Sequence, residues 1–220
     1  MPEAPTMDLE KSLFAQGFEF VAGVDEVGRG SLAGPVSVGI AVIDKSVKHP
    51  PKQIRDSKQM TAKARMASIE LITDWTIARA VGSASAIEID EIGIINALRL
   101  AWTRAYQELD IKPSHVILDG KHNWLEPKRI DLFTADIPQV NVPVTLKVKA
   151  DASCASVAAA SVLAKVTRDQ YMVELAQENP EYGWSTNVGY GSAKHLDAIR
   201  THGLTDFHRK SWNLLATGGQ

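Results

Sequence analysis

Four carboxylate side chains stand where short apolar stretches of this sequence end. They are Asp25, Glu26, Asp119 and Asp151. Ionised carboxylates within about 4–6 Å of one another repel and raise each other's pKa unless a cation lies among them. Carboxylate oxygens select hard cations, so the expected ions are Mg²⁺ or Mn²⁺ rather than Zn²⁺. Two such ions about 3.5–4 Å apart could hold the attacking and leaving oxygens of a phosphodiester.

Each acid also has an ordinary structural interpretation. Asp119-Gly120 is a common turn dipeptide, Asp151 precedes a predicted helix, and Asp25 and Glu26 could be solvated turn residues. Their recurrence at strand ends favours a shared site if the strands are neighbours in one sheet. Because adjacent strand residues point to opposite faces, Asp25 and Glu26 serve one site only if the chain bends there. The glycines that follow would allow this bend.

The hydrophobic pattern predicts the elements that must position these acids. Strands are predicted over residues 18–24, 36–43, 75–83, 115–118 and 144–148, and helices over 61–73, 94–109, 153–177 and 192–201. Thr61 and Ser153 are the expected helix caps. Strands and helices in this mixed order favour an α/β or α+β fold with a mixed central sheet flanked by helices.

The composition is that of an ordinary globular protein. The chain has 220 residues, 45% of them hydrophobic and 23% charged, with a net charge of -2, which excludes disordered and fibrous classes. A single cysteine, Cys154, excludes a disulfide framework and a Cys-rich zinc site and suits the cytoplasm. Residues 1–10 lack the apolar core of a signal peptide. No window reaches the roughly 20 apolar residues that a membrane span needs.

The turn after the first predicted strand matches a dinucleotide-binding fingerprint. Gly28, Gly30 and Ala33 fit the pattern G-x-G-x-x-A. That fingerprint requires a helix directly after the glycines, whereas Pro35 and the apolar run beyond it predict a strand. A nucleotide-dependent oxidoreductase is therefore a disfavoured alternative, and cofactor binding without nuclease activity would distinguish it.

Several segments, taken together and in order, resemble the ribonuclease HII family. They span residues 18 to 212 and include Val24-Asp25-Glu26-Val27-Gly28-Arg29-Gly30, Asp56-Ser57-Lys58, Ile117-Leu118-Asp119-Gly120, Lys149-Ala150-Asp151, the run from 158 to 169, Gly189-Tyr190-Gly191, His195 and His208-Arg209-Lys210-Ser211-Trp212. Any one of these short segments is a weak signal, whereas all of them in family order are specific.

The resemblance implies an RNase H-like fold with a small helical C-terminal extension. The expected parts are an N-terminal arm over residues 1–17, a catalytic domain over 18–190 and the extension over 191–220. The implied activity is a metal-dependent endonuclease that cuts RNA in RNA–DNA hybrids and nicks 5′ of single ribonucleotides in duplex DNA. Its products carry a 3′-hydroxyl and a 5′-phosphate. The implied cofactor is Mg²⁺ or Mn²⁺, and the protein is expected to be a monomer without membrane contact.

The resemblance also implies a role for each matching residue. The four acids would bind the metal and catalyse, the turn Gly28-Arg29-Gly30 would present backbone groups to the 2′-hydroxyl, Tyr190 would pack on the neighbouring sugar, and Lys58 would contact the phosphate backbone. A glycine turn suits this task because missing Cβ atoms let main-chain amides approach the sugar. A non-catalytic module that only binds hybrids on the same fold is the alternative, and divalent-dependent cleavage separates the two.

Other basic residues could contact the same substrate. Lys52 and Arg55 lie in a basic loop that is either a solvated face or a phosphate contact. The same expectation extends to His195, Arg209 and Lys210. Three tryptophans and the cysteine are expected in the core, namely Trp75, Trp102, Trp184 and Cys154.

Two features of the sequence depart from the family pattern. The stretch between Asp119 and Asp151 is longer than is usual for bacterial members and contains Trp124, Pro127, Pro138 and Pro143. Its residues 121–142 have no assigned role. Position 150 is alanine where many members have glycine. Because alanine does not easily adopt a positive φ, Ala150 is expected in an ordinary conformation.

Overall fold

Five strands form a mixed sheet in the computed structural model, which describes residues 4–126, 140–212 and 214. The strands are β1 (Val21–Val27), β2 (Val36–Ile43), β3 (Ala78–Ala84), β4 (His115–Asp119) and β5 (Val144–Lys147). Their order is β3-β2-β1-β4-β5, with β1 antiparallel to β2, β2 antiparallel to β3, and β4 parallel to both β1 and β5. The predicted mixed sheet is confirmed, and β1 begins and ends later than its predicted bounds.

The described residues contain seven α-helices. They are α1 (Asp8–Ala15), α2 (Ala62–Trp75), α3 (Ala86–Glu108), α4 (Ala150–Ser153), α5 (Ala155–Glu178), α6 (Trp184–Asn187) and α7 (Ala193–His202). Helices α1, α2 and α5 share one core with the sheet, and α3 covers the other face. All eight residues of β2 are buried, because helices cover both faces of this strand. A strand covered in this way has a nearly continuous apolar sequence.

Local capping chemistry explains where several helices begin. The Thr61 side chain accepts a backbone N–H at the start of α2, as the sequence predicted, and Ser192 does the same at the start of α7. Helix α3 begins earlier than expected because Ser85 and Glu88 form a reciprocal capping box, and the helix breaks at Gly93 (φ 75°). The prediction that Ser153 caps the long helix is wrong, since extended Cys154 separates α4 from α5.

Helix α5 lies unusually close to the sheet. A Cβ at Gly23 would overlap the backbone of Ser156 and Val157, so only glycine permits this approach of β1 to α5. Residues 155–164 of α5 are all buried and mostly small. Cys154, Trp75, Trp102 and Trp184, which were expected in the core, are all buried. Among the described residues, no helix has the length and hydrophobicity needed to cross a membrane.

The C-terminal part packs as a separate small cluster around Tyr182, Trp184 and Ile199, next to the end of α5. The proposed division of the chain at residues 17 and 190 stays a prediction. Pro127 and Pro138 of the long segment lie outside the described residues.

Candidate active site

The carboxyl edge of the sheet carries three of the four acids on adjacent strands. Because β1 and β4 are parallel with Val24 opposite Leu118, Asp25 and Asp119 follow side by side at this edge. Glu26 belongs to β1 as well, and its N–H donates to Asp25 Oδ1 at 2.9 Å. The expected bend between the two acids is wrong, since β1 continues through Val27 and the chain turns at the glycines beyond it.

The fourth acid reaches the edge from a short helix. Beyond β5 the chain turns through Lys149, which adopts a left-handed conformation (φ 56°), and Asp151 lies buried in the first turn of α4. The Ala150 N–H donates to Asp119 Oδ1 at 2.6 Å and so ties this helix to β4. Ala150 itself is helical, as expected for alanine, and the positive φ falls on the residue before it.

The four carboxylates interact electrostatically with one another. Burial, followed by repulsion from Glu26, Asp119 and Asp151, raises the pKa of Asp25 to about 8. Burial also raises the pKa of Glu26, where it outweighs the neighbouring Arg29. The Asp119 pKa is raised as well, with burial as the main cause. The site therefore holds more carboxylate than it can ionise without added positive charge.

Two cationic side chains already contact the cluster. Arg29 forms an ion pair with Glu26 at 3.1 Å, and Lys58 forms one with Asp151 at 3.2 Å. Burial alone would lower the Lys58 pKa, but Asp151 and Asp25 outweigh it and the net shift is upward. The Lys58 side chain remains 73% exposed, so it can reach a ligand above the site.

The turn that carries Lys58 is fixed to the core. The Asp56 side chain accepts the Lys58 N–H at 2.9 Å, and the Ser57 hydroxyl bonds that of Ser161 on α5 at 2.6 Å. The lysine therefore projects from an anchored turn. Lys52 and Arg55, from the same basic loop, are not part of the acid cluster, and the Arg55 guanidinium donates to the carbonyls of Lys52 and Ile54.

The donor set fits a hard divalent cation. All four side chains offer carboxylate oxygen, which Mg²⁺ and Mn²⁺ prefer, and their mutual repulsion is what such an ion would relieve. Within residues 4–126, 140–212 and 214, no three His, Cys, Asp or Glu side chains form a ready-made metal-ligand group.

The glycine turn beside the acids is held from below by Arg209. This side chain is fully buried and donates to the carbonyls of Gly28 (2.5 Å), Arg29 (2.9 Å) and Gly34. The expectation that Arg209 contacts phosphate is therefore wrong. At Gly30 the position of a Cβ is open, with no atom within 4 Å, so this backbone is accessible from outside.

Arg168 supports the same turn and was missed as a site residue. It is buried on α5 and donates to Pro35 O (2.8 Å), Ser31 Oγ (2.8 Å) and Val188 O (2.9 Å). Its signal in the sequence is a spacing of four along the buried face of α5, where Ala164 precedes it. A cation inside an apolar helical stripe indicates an internal partner.

Tyr190 lies on an exposed loop next to this turn. Its side chain is 38% exposed, and the Arg168 guanidinium lies 5.6 Å from its ring centre. The neighbouring Gly189 carbonyl accepts the Leu32 N–H at 2.8 Å, which joins this loop to the glycine turn. The structure thus brings Tyr190 and Gly28-Arg29-Gly30 into one surface.

His195 anchors Tyr190 from inside the protein. It is fully buried, its Nδ1 lies 2.9 Å from the Tyr190 carbonyl, and its Nε2 accepts the Trp184 indole N–H at 3.0 Å. The expectation that His195 contacts substrate phosphates is therefore wrong. Lys210 is exposed and forms an ion pair with Asp206 at 2.8 Å, so it remains on the surface.

The N-terminal segment contributes a further residue that the sequence did not indicate. Glu10 is fully buried and accepts the Ser156 N–H (3.0 Å) and hydroxyl (2.7 Å) at the start of α5. Thr6 bridges the same junction, receiving the Ala155 N–H and donating to Ser153 O. A segment far away in sequence therefore caps α5 and holds its junction with α4, which carries the fourth acid.

The same mixed sheet flanked by helices recurs in solved structures. The ribonuclease H2 from Pyrococcus horikoshii OT3 superposes with a TM-score of 0.70 at 30% identity, covering 90% of this chain and 96% of that protein. A ribonuclease HIII in complex with Mn²⁺ has a TM-score of 0.67 at 21% identity over 90% of this chain and 70% of its own, and shares the fold. The fold and the acidic edge of its sheet thus define an RNase H-like protein.

Sequence comparison identifies the family. The profile of Ribonuclease HII matches residues 22–215. The Ribonuclease HII of Streptomyces avermitilis is 43% identical over 215 residues, 97% of this chain and 85% of the relative. That of Paracoccus denitrificans is 44% identical over 211 residues, 94% and 91% of the two chains. The chain belongs to the ribonuclease HII family and is a ribonuclease H, an endonuclease that hydrolyses RNA.

Both alternatives considered from the sequence lose support. Strand β2 follows the glycine turn, so the dinucleotide fingerprint lacks the helix on which it depends. Membership of an enzyme family disfavours a module that only binds hybrids.

Proposed function

We propose that this ribonuclease is metal-dependent, with Asp25, Glu26, Asp119 and Asp151 as its metal-binding and catalytic residues. It cuts the RNA strand of RNA–DNA hybrids and nicks 5′ of single ribonucleotides in duplex DNA, leaving a 3′-hydroxyl and a 5′-phosphate. The observation that supports this most directly is buried Asp25, whose pKa is raised to about 8 by burial and by the three other acids. An excess of buried carboxylate at the edge of a sheet is suited to Mg²⁺ or Mn²⁺.

The chemistry of the bound ions would be Lewis-acid stabilisation of the phosphodiester and activation of the attacking water. The protein's own residues hold the oxygens for this purpose. Asp119 is oriented by the Ala150 N–H, and Asp151 is fixed at the start of α4. Lys58 forms an ion pair with Asp151. Because it is largely exposed, it would turn toward the substrate phosphate backbone.

Recognition of the 2′-hydroxyl falls to the backbone of the glycine turn. A protein that distinguishes RNA from DNA must contact this group. Gly30 leaves its peptide groups open to an approaching sugar, and Arg209 holds the carbonyls of Gly28 and Arg29 in place. Tyr190, on the loop joined to this turn, would pack against the neighbouring sugar ring. The proposed specificity therefore combines an open backbone with one exposed aromatic ring.

A duplex that carries one ribonucleotide tests this proposal. Purified protein is incubated with the end-labelled duplex in Mg²⁺, Mn²⁺ or EDTA, beside an all-DNA duplex of the same sequence. A metal-dependent nick 5′ of the ribonucleotide, absent with the all-DNA duplex and with Asp119→Asn, is the expected result. Cleavage of long hybrids without this nick would contradict the role of the glycine turn and Tyr190. Equal cleavage by Asp119→Asn and wild type would contradict the assigned acids.

Two further properties are proposed on the resemblance to the family. The protein would act in the cytoplasm and as a monomer, and size-exclusion chromatography with light scattering tests the second.

A further inference from the structure

An arginine of α2 reaches back to the turn that carries Lys58. This segment, residues 56–60, is the lysine turn, and its short 3₁₀ helix places Lys58 against Asp151. The Arg65 guanidinium donates through one nitrogen, Nη1, to the carbonyls of Ser57 (2.9 Å) and Met60 (2.7 Å). These two carbonyls lie on either side of Lys58 in the sequence. The proposed function gives Arg65 no role.

The position of Arg65 is not explained by the stability of α2. Arg65 is the fourth residue of this helix, and the first turn contains no acid. The N-terminus of a helix carries a positive partial charge, so a cation in the first turn is electrostatically unfavourable. The Arg65 side chain is nevertheless only 13% exposed. Its contacts outside α2 therefore account for its placement.

An acid on α5 holds Arg65 in this orientation. The second guanidinium nitrogen, Nη2, lies 3.5 Å from Asp169 Oδ2, and the other oxygen of Asp169 accepts the Lys165 ammonium at 2.7 Å. Asp169, Lys165 and Ser161 are spaced four apart and so share one face of α5. The Ser161 hydroxyl bonds that of Ser57. Helix α5 thus contacts the lysine turn directly through two hydroxyls and indirectly through Arg65.

Adjacent residues of α5 hold the two turns that would contact the substrate. Arg168 donates to Pro35 O and Ser31 Oγ beside the glycine turn. Asp169, the next residue, holds the arginine that bonds the lysine turn. Because both residues belong to one helix packed against the sheet, the two turns have a fixed separation. A duplex across the acid cluster needs this, since its phosphates and sugars are themselves regularly spaced.

We propose that Arg65 is a positioning residue that, held by Asp169, fixes Lys58 for its contact with the phosphate backbone of the substrate. Arg65 does not touch the substrate and acts through the carbonyls of the lysine turn. The planar guanidinium bonds two carbonyls and an acid at once, which a lysine ammonium cannot reproduce. The proposal rests on the proposed function, because that function gives Lys58 its phosphate contact.

Arg65→Lys tests this role at constant net charge. A fluorescently labelled RNA–DNA hybrid is titrated in EDTA over a series of NaCl concentrations, and anisotropy gives Kd at each. Lys58→Ala is expected to reduce the magnitude of the slope of log K against log salt by about one. Arg65→Lys is expected to weaken binding and to change this slope in the same direction. The double variant is expected to bind as Lys58→Ala does, because Arg65 acts through this lysine.

Hydrogen exchange of the free protein reports on the lysine turn without substrate. Arg65→Lys and Asp169→Asn are both expected to speed amide exchange in the peptide that covers residues 56–60, and to leave exchange in β1 unchanged. Asp169→Asn keeps Arg65 but removes its ionic partner, so it tests the same contact by a second route. Unchanged exchange in both variants would overturn the proposal. Circular dichroism of each variant confirms that it is folded.

Arg104→Lys is the matched control for the loss of a guanidinium. Arg104 also joins a backbone carbonyl to an acid, since it donates to Ser83 O at 2.7 Å and pairs with Glu88 at 2.6 Å. Its Kd and slope are expected to equal those of wild type. An equal loss of binding in Arg104→Lys and Arg65→Lys would overturn the proposal. A loss in Arg65→Lys that adds fully to that of Lys58→Ala would overturn it too, because Arg65 would then act independently of Lys58.

The same preparations separate this proposal from the proposed function. Wild-type protein that fails to cleave with Mg²⁺ or Mn²⁺ contradicts the proposed function, whereas binding in EDTA and hydrogen exchange still report on Arg65. A Lys58→Ala slope equal to that of wild type would overturn the phosphate contact of Lys58 and this proposal with it. An effect of Lys58→Ala on binding that Arg65→Lys does not share would overturn this proposal alone.

Discussion

Replacing Asp25 by asparagine should stabilise the metal-free protein, and the gain should grow with pH. Asp25 is 5% exposed, and burial together with the other acids raises its pKa from 3.8 to about 8. Below pH 3.8 the carboxyl is protonated in both folded and unfolded states. As pH rises above 3.8, the unfolded chain ionises while the folded protein keeps the proton until about pH 8, so the wild type loses stability across this window.

The stability difference between Asp25→Asn and wild type follows from the pKa shift of Asp25. Each pH unit inside the window costs about 1.4 kcal/mol of unfolding free energy. Between about pH 5 and about pH 8 the advantage of Asp25→Asn over wild type should therefore grow by about 4 kcal/mol. This figure is an upper limit, because water and Lys58 rearrange around an ionised carboxylate. The side-chain N–H groups of the new asparagine can donate hydrogen bonds to the neighbouring carboxylates, and the substitution adds no unpaired charge.

Urea denaturation in EDTA, followed by far-ultraviolet circular dichroism, measures this difference at several pH values. Asp74→Asn, which changes an exposed aspartate on α2, is the control for the loss of one carboxylate. Adding Mg²⁺ should narrow the gap, because only the wild type retains all four acids to bind it. An Asp25→Asn advantage that is the same at every pH would refute the reasoning. It would mean that Asp25 is neither desolvated nor repelled by its neighbours.

Three further substitutions test separate parts of the structure. Gly23→Ala forces a methyl group into the backbone of α5 and should cost about 1–3 kcal/mol, visible as a lower Tm; an unchanged Tm would contradict the close packing. Glu10→Ala leaves the Ser156 N–H uncapped and should cost about 1–3 kcal/mol in thermal melts, whereas Glu10→Gln should retain most of the stability. Tyr190→Ala should slow nicking at a single ribonucleotide and leave Tm nearly unchanged, and an unaltered nicking rate would remove Tyr190 from the sugar contact.

Features that depend on nearby residues were predictable from the sequence. Thr61 and Ser192 cap their helices because capping involves groups within three residues of each other. Strand β2 after Pro35 was recognisable from its continuous apolar run, and this excluded the nucleotide-binding turn. One local feature was missed: α3 begins at the capping box of Ser85 and Glu88, whereas the predicted start followed only the apolar stripe further along the helix.

Residues with distant partners were misjudged. Arg209 and His195 are polar types that usually face solvent, so a substrate contact was the natural expectation. In the structure both are fully buried, where one holds three turn carbonyls and the other holds the loop of Tyr190. Glu10 belongs to the same group, because its partner Ser156 is far away along the chain. No local pattern encodes such pairs.

The sequence by itself determined the chemical inventory of this protein: four acids at element ends, a glycine turn and the order of motifs that identifies the family. Only the tertiary structure decided that these acids change one another's pKa. The parallel pairing of β1 with β4 sets Asp25 beside Asp119, and α4 adds Asp151. The pKa of a carboxyl group depends on burial and on charges a few ångströms away. Those neighbours come from distant parts of the chain, so they exist only once it has folded.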